Sequence, residues 1–358
     1  MRKKIVGMLT TATLLTMALA GNVQAAEIRS VGPDGEAAVD ASTIDLTDDQ
    51  IAQIKEGGYT AAICLHYGGN DWSTSQQKGL EDTFGELGIE IVAVTDANFS
   101  AETQVSNIET VMAKKPDILV SIPTDATATA DAYKQAAAAG IKIVFMDQRA
   151  DGLEAGKDYV SVVSADNYGN GYASGTVLGD ALGGKGKVAM VYYDANFAPT
   201  NQRDEGFRDA MKNYPDIEIV TEQGFTDESG CAEQGDAILT QFPNIDGIYA
   251  SWDVPMEGVL SAVRAAGMEG KVTLACNDLG NNVAREIASG NIAGGGAQMP
   301  YDQGVAEAKL AALALLGEET PSYVAVPAET VTHENVLEAY TDVYHVETPD
   351  WLKEAYVE

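Results

Sequence analysis

The chain has 358 residues, enough for two domains with separate cores, and a formal net charge of −32. So acidic a protein repels nucleic acid and anionic membranes, which excludes partners of either kind. Its three cysteines, Cys64, Cys231 and Cys276, allow one disulfide at most. None is expected, because Cys64 and Cys276 fall in predicted strands, where a buried free thiol is common.

Arg2, Lys3 and Lys4 precede an apolar stretch over 5–20 and the small-residue site Val23-Gln24-Ala25. This reads as a cleavable export signal over residues 1–25. The apolar stretch is short and diluted with threonine, unlike a permanent anchor. The mature protein is expected to be soluble and periplasmic. Residues 26–58 read as a leader, loose and polar up to 45 and then closed by one short helix. Thr47-Asp48-Asp49-Gln50 is a capping box, Leu46 and Ile51 are placed as a hydrophobic staple, and Gly57-Gly58 ends the helix.

From Tyr59 strand and helix alternate. Strands are predicted at 61–65, 89–94, 118–122 and 141–146, with helices at about 73–87, 102–114 and 126–139 between them. Apolar runs such as Ala61-Ala62-Ile63-Cys64-Leu65 read as strands buried on both faces, and the alternation as βαβ units in a parallel sheet. After a strand at 159–164 the pattern restarts. Helices at 168–182, 201–213, 231–242, 256–266 and 282–289 enclose strands at 188–193, 217–221, 247–252 and 272–276. A second sheet is expected, with the domain boundary near Ser164-Ala165-Asp166. Glycines at 294–296, an apolar helix ending at Leu316 and a strand at 323–326 follow. The tail from Glu334 is acidic but carries Tyr340, Tyr344, Trp351 and Tyr356, so it is expected to pack on the surface.

No nucleophile elbow, metalloprotease helix, C-x-x-C or Walker loop occurs, and His66, His333 and His345 are far apart. No cofactor or metal is implied. Gly183 to Lys187 precedes a strand rather than following one, and so reads as a plain turn instead of a phosphate loop. Polar residues do recur at strand ends: Asn70-Asp71-Trp72, Asp147-Gln148-Arg149, Trp252-Asp253 and Asn277-Asp278. In open α/β sheets ligands sit at such ends, and two sheets facing each other would bring these groups to one cleft. Amides and carboxylates bond hydroxyls, and an indole covers C–H faces. The same residues are also ordinary helix caps and core packing, and taken singly each remains open between the two roles.

The order and spacing of QVSNIETVMAKKPDILVSIPTD (104–125), KIVFMDQR (142–149), SADNYGNG (164–171), NQRDEGF (201–207) and GAQMPYDQG (296–304) carry a resemblance. The chain resembles the periplasmic sugar-binding proteins of ABC importers, the ribose-binding type, from about Tyr59 to Tyr323. The resemblance implies two doubly wound α/β domains, 59–163 plus 298–325 and 164–297 plus 326–358, joined by a three-stranded hinge. It implies no catalysis, an inner-membrane ABC permease as partner, a monomer, and a small sugar or sugar alcohol as ligand, and the bulk that replaces smaller groups at two positions points to one smaller than a disaccharide. By position, Asn70 would bond a hydroxyl, Trp72 would cover the sugar face, and Asp147 would accept ring hydroxyls with Gln148 or Arg149 beside it. Arg203, four residues before Phe207, with Asp278 and Gln298 would complete the site, and Asp71, Trp252 and Asp253 are counted with it. Departures from the family are Ser73 in place of a second aromatic, Trp252 in place of an asparagine, Cys276-Asn277 in place of a glycine and an aromatic, and added bulk at His66-Tyr67. A sensor of a furanosyl signal keeps the same fold. An exported carbohydrate enzyme would need a carboxylate pair flanking one bond.

Overall fold

The computed structural model describes residues 28–357, so the predicted export signal lies outside the described residues. The chain begins with β1 (Val39–Asp40), α1 (Asp48–Gly57), β2 (Thr60–Leu65), α2 (Asp71–Glu86), β3 (Glu90–Asp96) and α3 (Ala101–Ala113). It goes on through β4 (Ile118–Ser121), α4 (Ala130–Ala138), β5 (Lys142–Met146) and β6 (Ser161–Ala165). Then come α5 (Asn167–Ala181), β7 (Lys185–Tyr193), α6 (Ala198–Met211), β8 (Asp216–Phe225) and α7 (Cys231–Gln241). The next elements are β9 (Gly247–Ala250), α8 (Asp253–Ala265), β10 (Thr273–Cys276), α9 (Asn281–Ala288) and β11 (Gly294–Ala297). Last are α10 (Pro300–Leu315), β12 (Tyr323–Val326), β13 (Glu329–Thr332), α11 (Val336–Tyr344) and α12 (Asp350–Ala355).

These elements build two sheets, ordered β1-β12-β6-β5-β4-β2-β3 and β13-β11-β10-β9-β7-β8. Every pairing is parallel except β11 with β13. Each sheet with its helices is one lobe. The chain passes between lobes three times: from β6 to α5, from β11 to α10, and from β12 to β13. In the first lobe Ile63, Val120 and Val144 pack on one face of the sheet against Leu80 and Leu310, while Leu119 and Phe145 pack on the other against Ile108 and Tyr133. Covering both faces is what makes these strands unbroken apolar runs.

In the second lobe a large cluster around Ile248, Leu274 and Val259 also takes in Val336, Val343 and Leu352 of the two C-terminal helices. The aromatic tail is therefore part of that core, and the Tyr344 hydroxyl donates to the Leu279 carbonyl at 2.8 Å. Strand β11 opens with three glycines because backbone presses on each: a Cβ at Gly294, Gly295 or Gly296 would overlap the carbonyl oxygen of Val331, Cys276 or Asn170. All three cysteines are buried free thiols.

The leader is not loose. Val39 and Asp40 pair with Val324 and Ala325, which makes β1 the edge of the first sheet. The amides of Arg29 and Ser30 donate to the Asp166 carboxylate at 3.0 and 2.8 Å, just where the chain crosses to the second lobe. Two paired residues are too few to leave a period in sequence. Helix α4 starts at Ala130 rather than near 126, because the Asp125 carboxylate holds the amides of Thr127 and Ala128 in a separate turn, at 2.9 and 2.7 Å. Among the described residues, no helix is long and apolar enough to cross a membrane.

Candidate functional site

The loops at the C-terminal ends of both sheets meet. After β2 the chain turns through His66, Tyr67 and Asn70. Asn70 is the N-cap of α2: its Oδ1 accepts from the Ser73 amide at 2.8 Å, and its Nδ2 donates to the Tyr67 hydroxyl at 2.6 Å. His66 and Trp72 are buried beside each other, ring centroids 5.8 Å apart. Burial pulls the His66 pKa down to about 3, which keeps the ring neutral. After β5 comes Asp147, whose Oδ1 accepts from Ser164 Oγ at 2.9 Å and from Gln303 Nε2 at 3.4 Å. Burial pushes its pKa up, opposed by the charge of Arg203.

Arg203 comes from α6 of the second lobe. A Cβ at Gly171 of α5 would collide with the Arg203 carbonyl, so the glycine lets α6 approach closely and sets the arginine in place. Arg203 Nε donates to Asn167 Oδ1 at 2.8 Å, and Nη1 donates to Asp278 Oδ2 at 3.0 Å and to the Ser251 carbonyl at 3.3 Å. Asp278 Oδ1 accepts from Gln298 Nε2 at 2.8 Å. Trp252, after β9, donates Nε1 to Glu228 at 2.9 Å.

Together these groups line a cavity between the lobes whose empty space, about 450 Å³, includes the open solvent at its mouth. Of the residues expected in the site, Asn70, Trp72, Asp147, Arg203, Trp252, Asp278 and Gln298 line it. Asp71, Gln148, Arg149 and Asp253 do not. Asp71 accepts from the amide and the Nδ2 of Asn281 at 2.7 and 2.8 Å, and so joins the rims of the two lobes. Gln148 turns away, bonding the Pro123 carbonyl at 2.8 Å and the Ala198 amide at 3.2 Å. Arg149 reaches the Leu153 carbonyl at 2.8 Å and pairs with Asp34 of the leader at 2.7 Å. Asp253 is buried at the start of α8, accepting from the Val254 amide at 2.8 Å. The reason is common to all four: a side chain next to a strand end can point into the cleft or along its rim, and spacing does not distinguish the two.

Sequence reasoning missed Phe99, Tyr193 and Phe197, which line the cavity with His66 and Tyr67. Phe99 and Phe197 follow β3 and β7 and Tyr193 ends β7, the same positions from which only carboxylates, amides and indoles had been drawn.

Comparison with known proteins agrees with this architecture. The chain belongs to the periplasmic binding protein family: the family model described as periplasmic binding protein domain matches residues 61–319. It is similar to the D-ribose/D-allose-binding protein of Pseudomonas aeruginosa, 29% identical over 273 residues, which are 73% of this chain and 83% of the relative. A solved ABC transporter periplasmic solute binding protein from Actinobacillus succinogenes, with bound D-allose, superposes with a TM-score of 0.72 at 29% identity, covering 78% of this chain and 99% of that one. An ABC transporter solute binding protein from Agrobacterium vitis, bound with alpha-D-tagatopyranose, gives 0.74 at 25% identity, over 82% and 100% of the two chains.

Proposed function

We propose that this chain is an exported solute receptor of an ABC importer, which captures one small sugar or sugar alcohol between its lobes and passes it unchanged to a membrane permease. The observation that carries this reading is the cavity itself, where Asp147 from one lobe and Arg203, Asp278 and Gln298 from the other and the crossover share one wall. A carboxylate accepts two hydroxyls, a guanidinium donates to several oxygens, and hydrogen bonds to charged groups contribute about 1.5–3 kcal/mol each. Three of them, with rings against C–H faces, supply the roughly −8 kcal/mol of micromolar binding after ordering losses. Family membership and the sugars named in the two solved relatives support the same ligand class.

The test is a thermal-shift screen of the purified protein against pentoses, hexoses, tetritols, pentitols and a few amino acids. A ligand at a hundredfold its dissociation constant adds about 2.7 kcal/mol to stability and raises the melting point by several degrees. A shift with amino acids and none with any sugar or polyol would reject the ligand class. Conversion of a bound glycoside to products would reject passive capture.

A further inference from the structure

Two carboxylates and one cation line the cavity: Asp147, Asp278 and Arg203. Arg203 Nη1 lies 3.0 Å from Asp278 Oδ2, and its charge also reaches Asp147 from across the cleft. His66 of the same wall is kept neutral by burial. The arginine that stands beside Asp147 in sequence adds no charge to the cavity. Arg149 is drawn off to the leader, where it pairs with Asp34 at 2.7 Å and donates to the Leu153 carbonyl at 2.8 Å. The wall therefore carries one negative charge in excess. The groups behind it add to that excess. Glu228 stands behind the Trp252 indole and accepts from its Nε1 at 2.9 Å. Burial raises the Glu228 pKa, and the charges of Asp227 and Glu257 act the same way with no cation against them. Asp253 and Glu307 lie deeper, and burial raises both, so neither enters the count.

The same field reaches the rings of the wall. Burial raises the pKa of the Tyr67 hydroxyl, and the charges of Glu228, Asp253 and Asp278 raise it further against Arg203 alone. Tyr193 is raised by burial and then by Glu228. A positive charge suits such a place twice over. Tyr67, Phe99, Tyr193, Phe197 and Trp252 line the cavity, and an aromatic face attracts a cation within about 6 Å of its centre. Among the described residues no side chain donates to Asp147 Oδ2, so a carboxylate oxygen is open to an ammonium, which has three protons to give. Closing the lobes over a neutral molecule buries the excess charge unbalanced, which is costly, whereas an ammonium balances it. Groups for hydroxyls remain as well. Among the described residues Arg203 Nη2 and Trp72 Nε1 have no acceptor, and Gln298 Oε1 has no donor. The cavity is thus equipped for one cation and several hydroxyls together.

Resting on the receptor reading above, we propose that the ligand is a sugar or sugar alcohol that carries one protonated amine. Its ammonium lies on Asp147 against the ring wall, and its hydroxyls lie on Arg203, Trp72 and Gln298.

The test is titration calorimetry at about pH 6.5, where an amine of the α-amino kind is protonated. Each amino compound is matched with its neutral parent: D-glucosamine with D-glucose, D-galactosamine with D-galactose, D-mannosamine with D-mannose, and D-glucamine with D-sorbitol. The tightest binder is expected to be an amino member, about tenfold or more tighter than its parent, the scale of one hydrogen bond between charged groups. Its N-acetyl form keeps the nitrogen without the charge and is expected to lose that advantage. Asp147→Asn removes the charge and keeps the shape. Asparagine tolerates the left-handed backbone of this position, so the variant should fold. In it the amino preference is expected to shrink toward parity. Glu228→Gln keeps an acceptor for Trp252 Nε1 and removes a charge behind the wall, and in it the preference is expected to fall by less. A neutral parent or an N-acetyl form that binds as tightly as the amine, or a preference unchanged in both variants, overturns the inference and leaves the receptor reading standing. Binding by no sugar or polyol, charged or neutral, overturns both.

Discussion

Asp147 and Asp278 occupy matching places in the two lobes. Each follows the C-terminal end of a central strand, each lines the same cavity, and each holds a left-handed backbone, with φ of 53° and 69°. Such a backbone is costly for a residue with a side chain and is kept where the surroundings impose it, typically at binding sites. Their electrostatics differ. Asp278 has its cation, Arg203, within its own lobe and an amide beside it. Among the described residues the Asp147 side chain bonds those of Ser164 and Gln303, and burial raises its pKa. The second lobe thus carries its charge balanced in advance. The first depends on Arg203 from across the cleft and on whatever hydroxyls lie between. Arg203 is thus the cation of both carboxylates, within its own lobe for Asp278 and across the cleft for Asp147.

The largest expected effect comes from Arg203→Ala. It strands Asp278 and Asp147 with no cation, and removing one member of a buried pair costs about 3–5 kcal/mol. Melting of the unliganded protein should fall by many degrees and sugar binding should vanish. A variant that melts like the parent would show that water reaches Asp278 and that the pair is not buried in solution. Asp147→Ala should behave oppositely. It removes a carboxylate whose burial cost is only partly offset by Arg203 across the cleft, so the melting point should hold or rise, while affinity falls by about tenfold or more for one lost charged hydrogen bond. Affinity unchanged by calorimetry would remove Asp147 from the ligand's contacts.

A third test concerns pH. Asp204, one residue past Arg203, is buried and bonded to Ser251 Oγ at 2.6 Å and to the Tyr249 hydroxyl at 3.3 Å. Burial raises its pKa from the ordinary 3.8 to about 6. Between those values the folded form binds the proton more tightly than the unfolded chain does. Stability is therefore greater below the window and declines as pH rises through it, by on the order of 3 kcal/mol. Melting followed from pH 4 to 7 should show that decline, and Asp204→Asn should flatten it. Asp147, Asp253 and Glu307 are also raised by burial, so the difference between the two curves is the measure. An equal slope in Asp204→Asn would place the titration elsewhere.

The alternation of apolar runs with amphipathic stretches made both sheets legible, because strands covered on both faces must be apolar throughout. Strand β1 was not legible, since an edge of two residues is specified by β12 rather than by itself. In the site, Asp147 and Asp278 stood out as carboxylates at strand ends and Trp72 and Trp252 as indoles there, while Arg203, inside α6, came only from the family resemblance. The other rings did not stand out. Phe197 and Tyr193 read like core residues, and only the meeting of the lobes, with His66 stacked on Phe197, shows them as cavity wall. Gln148 and Arg149 failed for the opposite reason. They sit beside Asp147 in sequence, yet one turns to Pro123 and Ala198 and the other to Leu153 and the leader.

The smallest effect should come from Asp71, and it tests closure apart from ligand contact. Sequence left Asp71 open between helix cap and hydroxyl acceptor. It is a cap, but for a helix of the other lobe: its carboxylate receives the Asn281 amide in the first turn of α9, while the Tyr340 hydroxyl donates to Asn281 Oδ1 at 2.6 Å from behind. A carboxylate at a helix N-terminus contributes about 0.3–1 kcal/mol. This contact forms only when the lobes meet, so its loss should weaken binding without touching the ligand. Asp71→Ala should lower affinity by about two- to fivefold, mostly through faster release, since affinity differences within one site fall mainly on the dissociation rate. The unliganded melting point should stay within about 1 °C, as expected for a rim substitution that leaves both cores intact. The contact of His345 with Asp302 at 3.1 Å also spans the two lobes and remains in this variant, so closure should weaken rather than fail. Stopped-flow release that is as slow as in the parent would show that closure is held by the cavity's own polar wall, and would leave the Arg203 and Asp147 variants as the only levers on it.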